Sequence, residues 1–158
     1  MWHFCAKAAG FVGSATGPFL QEPDRRPLSQ CGALCWRQND VCKDVLLITS
    51  REAGRWIIPK GWPMKGKTLL QAAEQEAWEE AGVRGTPNPA SIGCYRYVKR
   101  SGSPSAVEVD VTVFPLQVFE ERNDFPEYGQ RDRLWTTPED AARLVDNRSL
   151  SVLIASFV

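Results

Sequence analysis

Between Val107 and Val113 the chain alternates strictly, with Val107, Val109, Val111 and Val113 separated by Glu108, Asp110 and Thr112. A period of two sends the valines to one face of a strand and the polar residues to the other. SAVEVDVTVFPLQVF, residues 105–119, therefore reads as a long strand, preceded by a second one at SIGCYRYVKR, 91–100, with Ser101-Gly102-Ser103-Pro104 as the turn. Upstream, CGALCWRQ (31–38) and DVLLITS (44–50) flank a polar turn at Asn39 and Asp40 and predict the first two strands. RWIIP, 55–59, predicts a short third strand. The period changes to that of a helix over residues 69–81, where Leu70, Ala73, Ala77 and Ala81 share one sector; Thr68 is placed to cap its start and Gly82 its end. Residues 119–130 are charged, contain Pro126 and Gly129, and read as a loop that could serve as a lid over a metal site on that helix. A strand at RLWTT, a helix opened by Thr137 and Pro138, and a last helix over Ser149 to Phe157 complete the pattern. Gly10, Gly13, Gly17, Pro18, Pro23 and Pro27 break up the first 27 residues, which read as an irregular extension before one domain spanning 28–158.

Composition narrows the function more than the fold. The 158 residues are 43% hydrophobic and 24% charged, enough for one ordinary core. Nineteen basic residues balance nineteen acidic ones, so any affinity for polyanions has to be local, and a nucleic-acid partner is disfavoured. The single histidine, His3, lies near the N-terminus, which argues against a histidine-based triad or a histidine-ligated zinc site. Five cysteines form no CxxC pair; Cys31 and Cys35 read as small buried hydrophobes on a strand. No secretory leader is visible and no apolar run approaches the ~20 residues of a membrane span. The expectation is a chain that does not cross a membrane and resides in a reducing cytoplasm.

The chemistry gathers on the helix. Glu76, Glu79 and Glu80 stand three and four residues apart and project from one stripe, next to the apolar sector and after a glycine loop. Like charges so placed repel unless a cation offsets them, and carboxylate oxygens suit hard ions, magnesium or manganese. A solvated acidic face is the alternative reading of EAWEE taken alone. Lys60 is the natural contact for a substrate phosphate, with Arg131 and Arg133 joining it if the fold brings them near, as Lys65 and Lys67 widen a positive rim. Such a set would take a small phosphorylated molecule carrying several phosphates.

The register of Gly61, then Lys67, then Gln75-Glu76-Ala77-Trp78-Glu79-Glu80-Ala81-Gly82-Val83 resembles the Nudix box, G-x5-E-x7-R-E-U-x-E-E-x-G-U with U aliphatic, at seven of its nine specified positions. RWIIPKGW, residues 55–62, is similar to the approach to that box. The resemblance implies an α/β (α+β) fold, an α/β/α sandwich with a curled mixed sheet, the box helix after the third strand and a helix at the C-terminus. It implies Glu76, Glu79 and Glu80 as catalytic metal ligands with the Gly61 carbonyl, Mg2+ or Mn2+ as cofactor, and water attack on a phosphoanhydride. The base that takes the water's proton is Glu76 or comes from outside the box, where Glu120, Glu121 and Glu127 are available. The extra Lys-Gly before the helix resembles the branch of diphosphoinositol-polyphosphate and diadenosine-polyphosphate hydrolases.

Lys67 and Gln75 depart from the pattern, which has Glu and Arg there. In the family those two brace the loop against the helix, so their joint replacement is coherent: an arginine deprived of its carboxylate would be an unpaired cation near the metals. The departure also leaves open a Nudix-fold domain that binds a nucleotide, or regulates through it, with little or no turnover. Removal of pyrophosphate from RNA ends lacks a basic, aromatic-interleaved stripe. Trp62 could stack on a base but is expected to pack its own loop; Trp78, Trp56 and Trp135 read as packing residues.

Overall fold

A computed structural model describes residues 26–100 and 106–157. The extension, except for its last two residues, and the turn at 101–104 lie outside the described residues. The elements are β1 (Leu28–Gln38), β2 (Lys43–Thr49), β3 (Trp56–Ile57), β4 (Lys60–Gly61), α1 (Leu69–Ala81), β5 (Val83–Pro87), β6 (Gly93–Lys99), β7 (Val107–Glu121), β8 (Arg133–Thr136), α2 (Pro138–Leu144) and α3 (Arg148–Ala155).

The sheet grows around β1 and β7, which run parallel with Leu28 opposite Val109 and Trp36 opposite Gln117; all other pairings are antiparallel. β7 is long enough to serve two neighbours on its far edge, β6 along Val107–Val113 and β5 along Leu116–Glu121. The sheet is thus mixed, as expected. Side-chain alternation divides its two faces between two cores. Leu34, Val45, Leu47, Ile58, Val109, Val111 and Val113 pack under α2 and α3, whereas Cys31, Ala33, Cys35, Leu46, Ile48 and Leu116 pack under α1. Helices cover both faces, which is the α/β/α sandwich. α1 meets the sheet through Ala72, Ala73, Ala77 and Ala81, all buried; short side chains let it approach closely, and enlarging one of them would cost ~1–3 kcal/mol by overpacking. Cys31 and Cys35 are buried on β1, where desolvation pushes the Cys31 thiol up to about 11 with help from Glu76, so this thiol is inert.

Two expectations are corrected, and one strand went unread in the sequence. The third strand is two two-residue pieces: β3 pairs with β2 and β4 with β1. Pro59 lies between them and has no N–H to donate, so the segment changes partner there, while its carbonyl accepts from the Ala33 N–H at 2.9 Å. Residues 83–87 form β5, an edge strand whose Gly85 and Pro87 mask it in sequence. β7 runs past Phe119, the last residue of the expected strand, through Glu120 and Glu121, which composition assigned to the loop. Among the described residues no helix is long and apolar enough to cross a membrane.

Candidate metal centre

Two devices at its ends set the helix that carries the carboxylates. Thr68 accepts from the Gln71 N–H and Gln71 Oε1 accepts from the Thr68 N–H at 2.9 Å, a reciprocal capping box. Gly82 closes the helix at φ 68°, and a Cβ there would lie 2.3 Å from the Phe125 ring. Left-handed backbone and lack of space both demand glycine.

Gly61 is glycine for a different reason. A Cβ on it would fall 1.9 Å from Glu76 Oε1. The Glu76 carboxylate therefore lies against the backbone of β4, where the chain turns off β1, and the pairing Cys31 to Gly61 fixes that turn to the sheet. Burial raises the Glu76 carboxyl to about 7, with Glu80, Glu79 and Glu127 adding repulsion and Lys60 opposing it. Glu79 accepts from Gln75 Nε2 at 2.5 Å, and Gln75 Oε1 accepts from Lys67 Nζ at 2.9 Å. The two residues that depart from the box thus still touch, and they form a brace onto Glu79.

Glu80 corrects the picture of a stripe facing outward. It is only 8% exposed, accepts from the Lys60 N–H at 3.0 Å through Oε2 and is paired through Oε1 with Arg131. Burial raises its carboxyl, against the pull of Arg131 and of the Lys60 N–H. With Glu79 turned to Gln75 and Glu80 to Arg131, no three acidic, cysteine or histidine side chains among the described residues enclose a metal position as they stand. The donor set nevertheless fits a hard dication. Glu76 is half-buried against Gly61 and repelled by three carboxylates, Glu79 keeps one oxygen outside the Gln75 contact, and a carboxylate with two lone pairs in use retains about two more.

Arg131 and Arg133, expected at a substrate, are engaged by the protein. The Arg131 side chain is 5% exposed, donating to Glu127 Oε2 at 2.7 Å and the Thr49 carbonyl at 3.0 Å besides Glu80. Arg133 donates to the Ala81 and Arg122 carbonyls, both at 3.0 Å, and pairs with Glu121 at 3.3 Å. They tie the 122–131 loop to α1, as do the Glu127 N–H on the Glu79 carbonyl at 3.0 Å and the Arg122 N–H on the Gly82 carbonyl at 2.8 Å. The expected covering loop is pinned at the helix end. Of the alternative bases, Glu120 pairs with Arg122 and Glu121 with Arg37, Arg133 and the Trp135 indole. Glu127 alone of the three shares a partner with the cluster, Arg131 donating to it and to Glu80, which places it beside that carboxylate.

Lys60 stands next to the cluster with its Nζ over the Tyr97 ring, and burial draws its ammonium down. Trp62 does not sink into its own loop: it is 39% exposed and lies under Lys99. Trp78 packs as expected, stacked by Arg84 and edge-on to Phe125. Sequence reasoning missed Tyr97, Lys99 and Gln30; the alternation along β6, which puts Tyr97 and Lys99 on one face, was the available signal.

Comparison with known proteins bears on the family and the fold. A family model described as NUDIX domain matches residues 29–156. Nudix hydrolase 12, mitochondrial, of Arabidopsis thaliana is 35% identical over 107 residues, 64% of this chain and 51% of the relative. The chain spans about half the length of such relatives. In fold it is similar to a C. elegans Ap4A hydrolase in a binary complex, with a TM-score of 0.62 and 21% identity over 82% of this chain and 94% of that one. It is similar also to the NUDIX domain of Shewanella oneidensis NrtR complexed with ADP ribose, with a TM-score of 0.61 and 14% identity over 82% of this chain and 87% of that one. Box, sandwich and family match converge, and the chain belongs to the Nudix domain family.

Proposed function

We propose that this protein is a Mg2+- or Mn2+-dependent hydrolase that cleaves a phosphoanhydride bond in a small phosphorylated molecule by water attack at phosphorus. The observation that carries the reading is the Glu76 carboxylate lodged against Gly61 where no Cβ fits, flanked by Glu79 and Glu80. Glu76, Glu79, Glu80 and the Gly61 carbonyl would hold the ions. A bound dication supplies charge neutralisation at the phosphate oxygens and acidifies coordinated water. Lys60 neutralises a substrate oxygen from the sheet side. Glu127, held by Arg131 and Arg51 at 2.7 and 3.6 Å, is the loop carboxylate in place to take the water's proton. Arg131 and Arg133 position Glu80 and the loop rather than reach the substrate. Nucleoside-diphosphate compounds, dinucleoside polyphosphates and diphosphoinositols are the substrate classes to test; the family's solved relatives named above include an Ap4A hydrolase and an ADP-ribose complex.

The test is hydrolysis by the full chain across those classes with Mg2+ or Mn2+, in isotopically labelled water to locate the attacked phosphorus. Glu79→Gln should lose most activity, about a hundredfold or more, because an oxygen that would hold the activating ions is replaced by a neutral amide, while melting as the parent does. Parent-like turnover by Glu79→Gln would overturn the catalytic assignment. Tight nucleotide binding with no turnover of any anhydride would favour the binding-domain reading.

A further inference from the structure

The side of α1 turned away from Glu76 and Glu80 borders a cleft of about 700 Å3. Gln71, Glu74, Gln75 and Trp78 recur at spacings of three and four and line it from the helix, whereas Glu76 and Glu80 share the other side with the buried alanines. Arg84 and Gly85 of β5, with Leu116 and Phe119 of β7, form the facing wall. A bulge between Arg84 and Gly85 shapes that wall: a Cβ on Gly85 would lie 2.3 Å from the Gln117 carbonyl oxygen, so the two strands close up there. Gly66, left-handed at φ 78°, turns the chain so that Lys67 joins the lining.

Charge and shape in this cleft suit a flat anion. Arg84 is exposed, its guanidinium carbon 4.2 Å from the centre of the Trp78 ring, and among the described residues it has no carboxylate or hydrogen-bond partner. A ring holds a guanidinium in place without neutralising it. Lys67 is a second cation, bonded to an uncharged amide, Gln75 Oε1, at 2.9 Å. Gln71 uses its Oε1 in the capping box and keeps its amide N–H2 to donate. Glu74 is the one carboxylate of the lining against these two cations, so the balance favours an anion. Phe119, 72% exposed beside the buried Leu116, is an aromatic face left in water that a ring would cover. The volume is that of a site for one small molecule. A glutamate at position 67, as in the family pattern, would repel an anion here; lysine admits one.

We infer that this cleft is a second binding site, separate from the metal centre, for a small molecule that joins a flat ring to one anionic group, the anion on Arg84 and Lys67 and the ring against Phe119 and Leu116. Its occupancy reaches the metal centre through contacts already in place. Lys67 donates to Gln75, and Gln75 donates to Glu79 at 2.5 Å. An anion that takes the Lys67 ammonium weakens this chain of hydrogen bonds and adds negative charge on that side of Glu79, and both changes favour a cation at Glu79. The site stands without the hydrolase reading above; its effect on the ions rests on it.

The probe is naphthalenesulfonate, titrated in EDTA into the full chain while amide proton–nitrogen correlation spectra are recorded, with naphthol and methanesulfonate as the ring and the anion alone. The Trp78 indole and the Gly85 amide should shift saturably, at about millimolar or tighter as for a fragment of this size, while the Lys60 and Gly61 amides stay; neither half-probe should match it. Arg84→Met should weaken binding about tenfold, the size of one charge-assisted contact, Arg84→Lys should recover part of that, and Lys60→Met should leave it unchanged. Shifts confined to Lys60 and Gly61, or an affinity indifferent to Arg84, would overturn the site. Manganese affinity, read from the paramagnetic resonance of free Mn2+, should rise about fivefold at saturating probe, the low end of couplings between sites, and the rise should vanish in Lys67→Met. A Mn2+ affinity that ignores the probe in the parent would overturn the coupling. Arg84-dependent probe binding by a protein that takes up no Mn2+ and cleaves no anhydride would instead remove the hydrolase reading and keep the site.

Discussion

At the scale of single residues, the contact from Lys67 to Gln75 and on to Glu79 shows how two departures from a motif remain a brace with its polarity reversed. A lysine amine now donates where the family's carboxylate accepts, and an amide transmits the contact without a second cation. Gln75→Arg should therefore set two cations together and lower the melting temperature, and adding Lys67→Glu should recover it with a coupling of about 0.5–1 kcal/mol, the range of exposed pairs. Equal melts for the single and double variants would show that the positions do not communicate. Glu76 supports a second prediction at this scale. Its folded pKa, about 7, exceeds its ordinary 4.5, so the contribution of its protonated form is complete below about pH 4.5 and is lost as pH rises through 7. In EDTA the melting temperature should fall from pH 5 to pH 8, Glu76→Gln should flatten that fall, and added Mn2+ should raise the melt most at the alkaline end. Parallel falls in parent and variant would point to another group. The three glutamates, Gly61 and Lys60 were legible in the sequence because spacing along one helix and one turn is local information. The engagement of Arg131 by Glu80 was not: those residues are 51 apart, and an arginine paired across a fold reads the same as a free one.

At the scale of elements, α1 was readable to the residue, because its caps, its alanine sector and its carboxylates all report one period. β4 and β5 were not. A two-residue strand has no period, and Val83–Pro87 is a strand only because the far half of β7 lacks another edge partner. The same logic makes the glycines at the ends of these elements sharp tests. Gly82→Ala combines strained backbone with a 2.3 Å approach to Phe125 and should destabilise the fold by ~1–3 kcal/mol, seen as a lowered denaturant midpoint with unchanged m-value. Gly61→Ala should instead displace Glu76, costing Mn2+ affinity in a calorimetric titration out of proportion to any change in melt. If stability and affinity fall together for Gly61→Ala, the glycine serves packing alone.

At the scale of the whole molecule, the alternation of β7 foretold one buried face, lined by its valines, while the second covered face was expected only from the resemblance to the Nudix box, since periodicity carries no partner. One polar atom stands out in the core under α2 and α3: Tyr95 is 3% exposed and its hydroxyl is without a hydrogen-bond partner among the described residues. Tyr95→Phe should leave the fold as stable as the parent or raise it by about 1 kcal/mol, because the variant no longer desolvates a hydroxyl; a marked loss of stability in chemical denaturation would reveal a partner for it. The axis of the sheet is the parallel contact of β1 with β7, joining Leu28 to Val109 across eighty-one positions of chain. During synthesis the first strand must leave the ribosome and wait, edge bare, until two thirds of the domain has been made. Such a nascent chain matures late and in one step, and ribosome-stalled lengths ending before β7 should remain protease-sensitive and recruit holding chaperones.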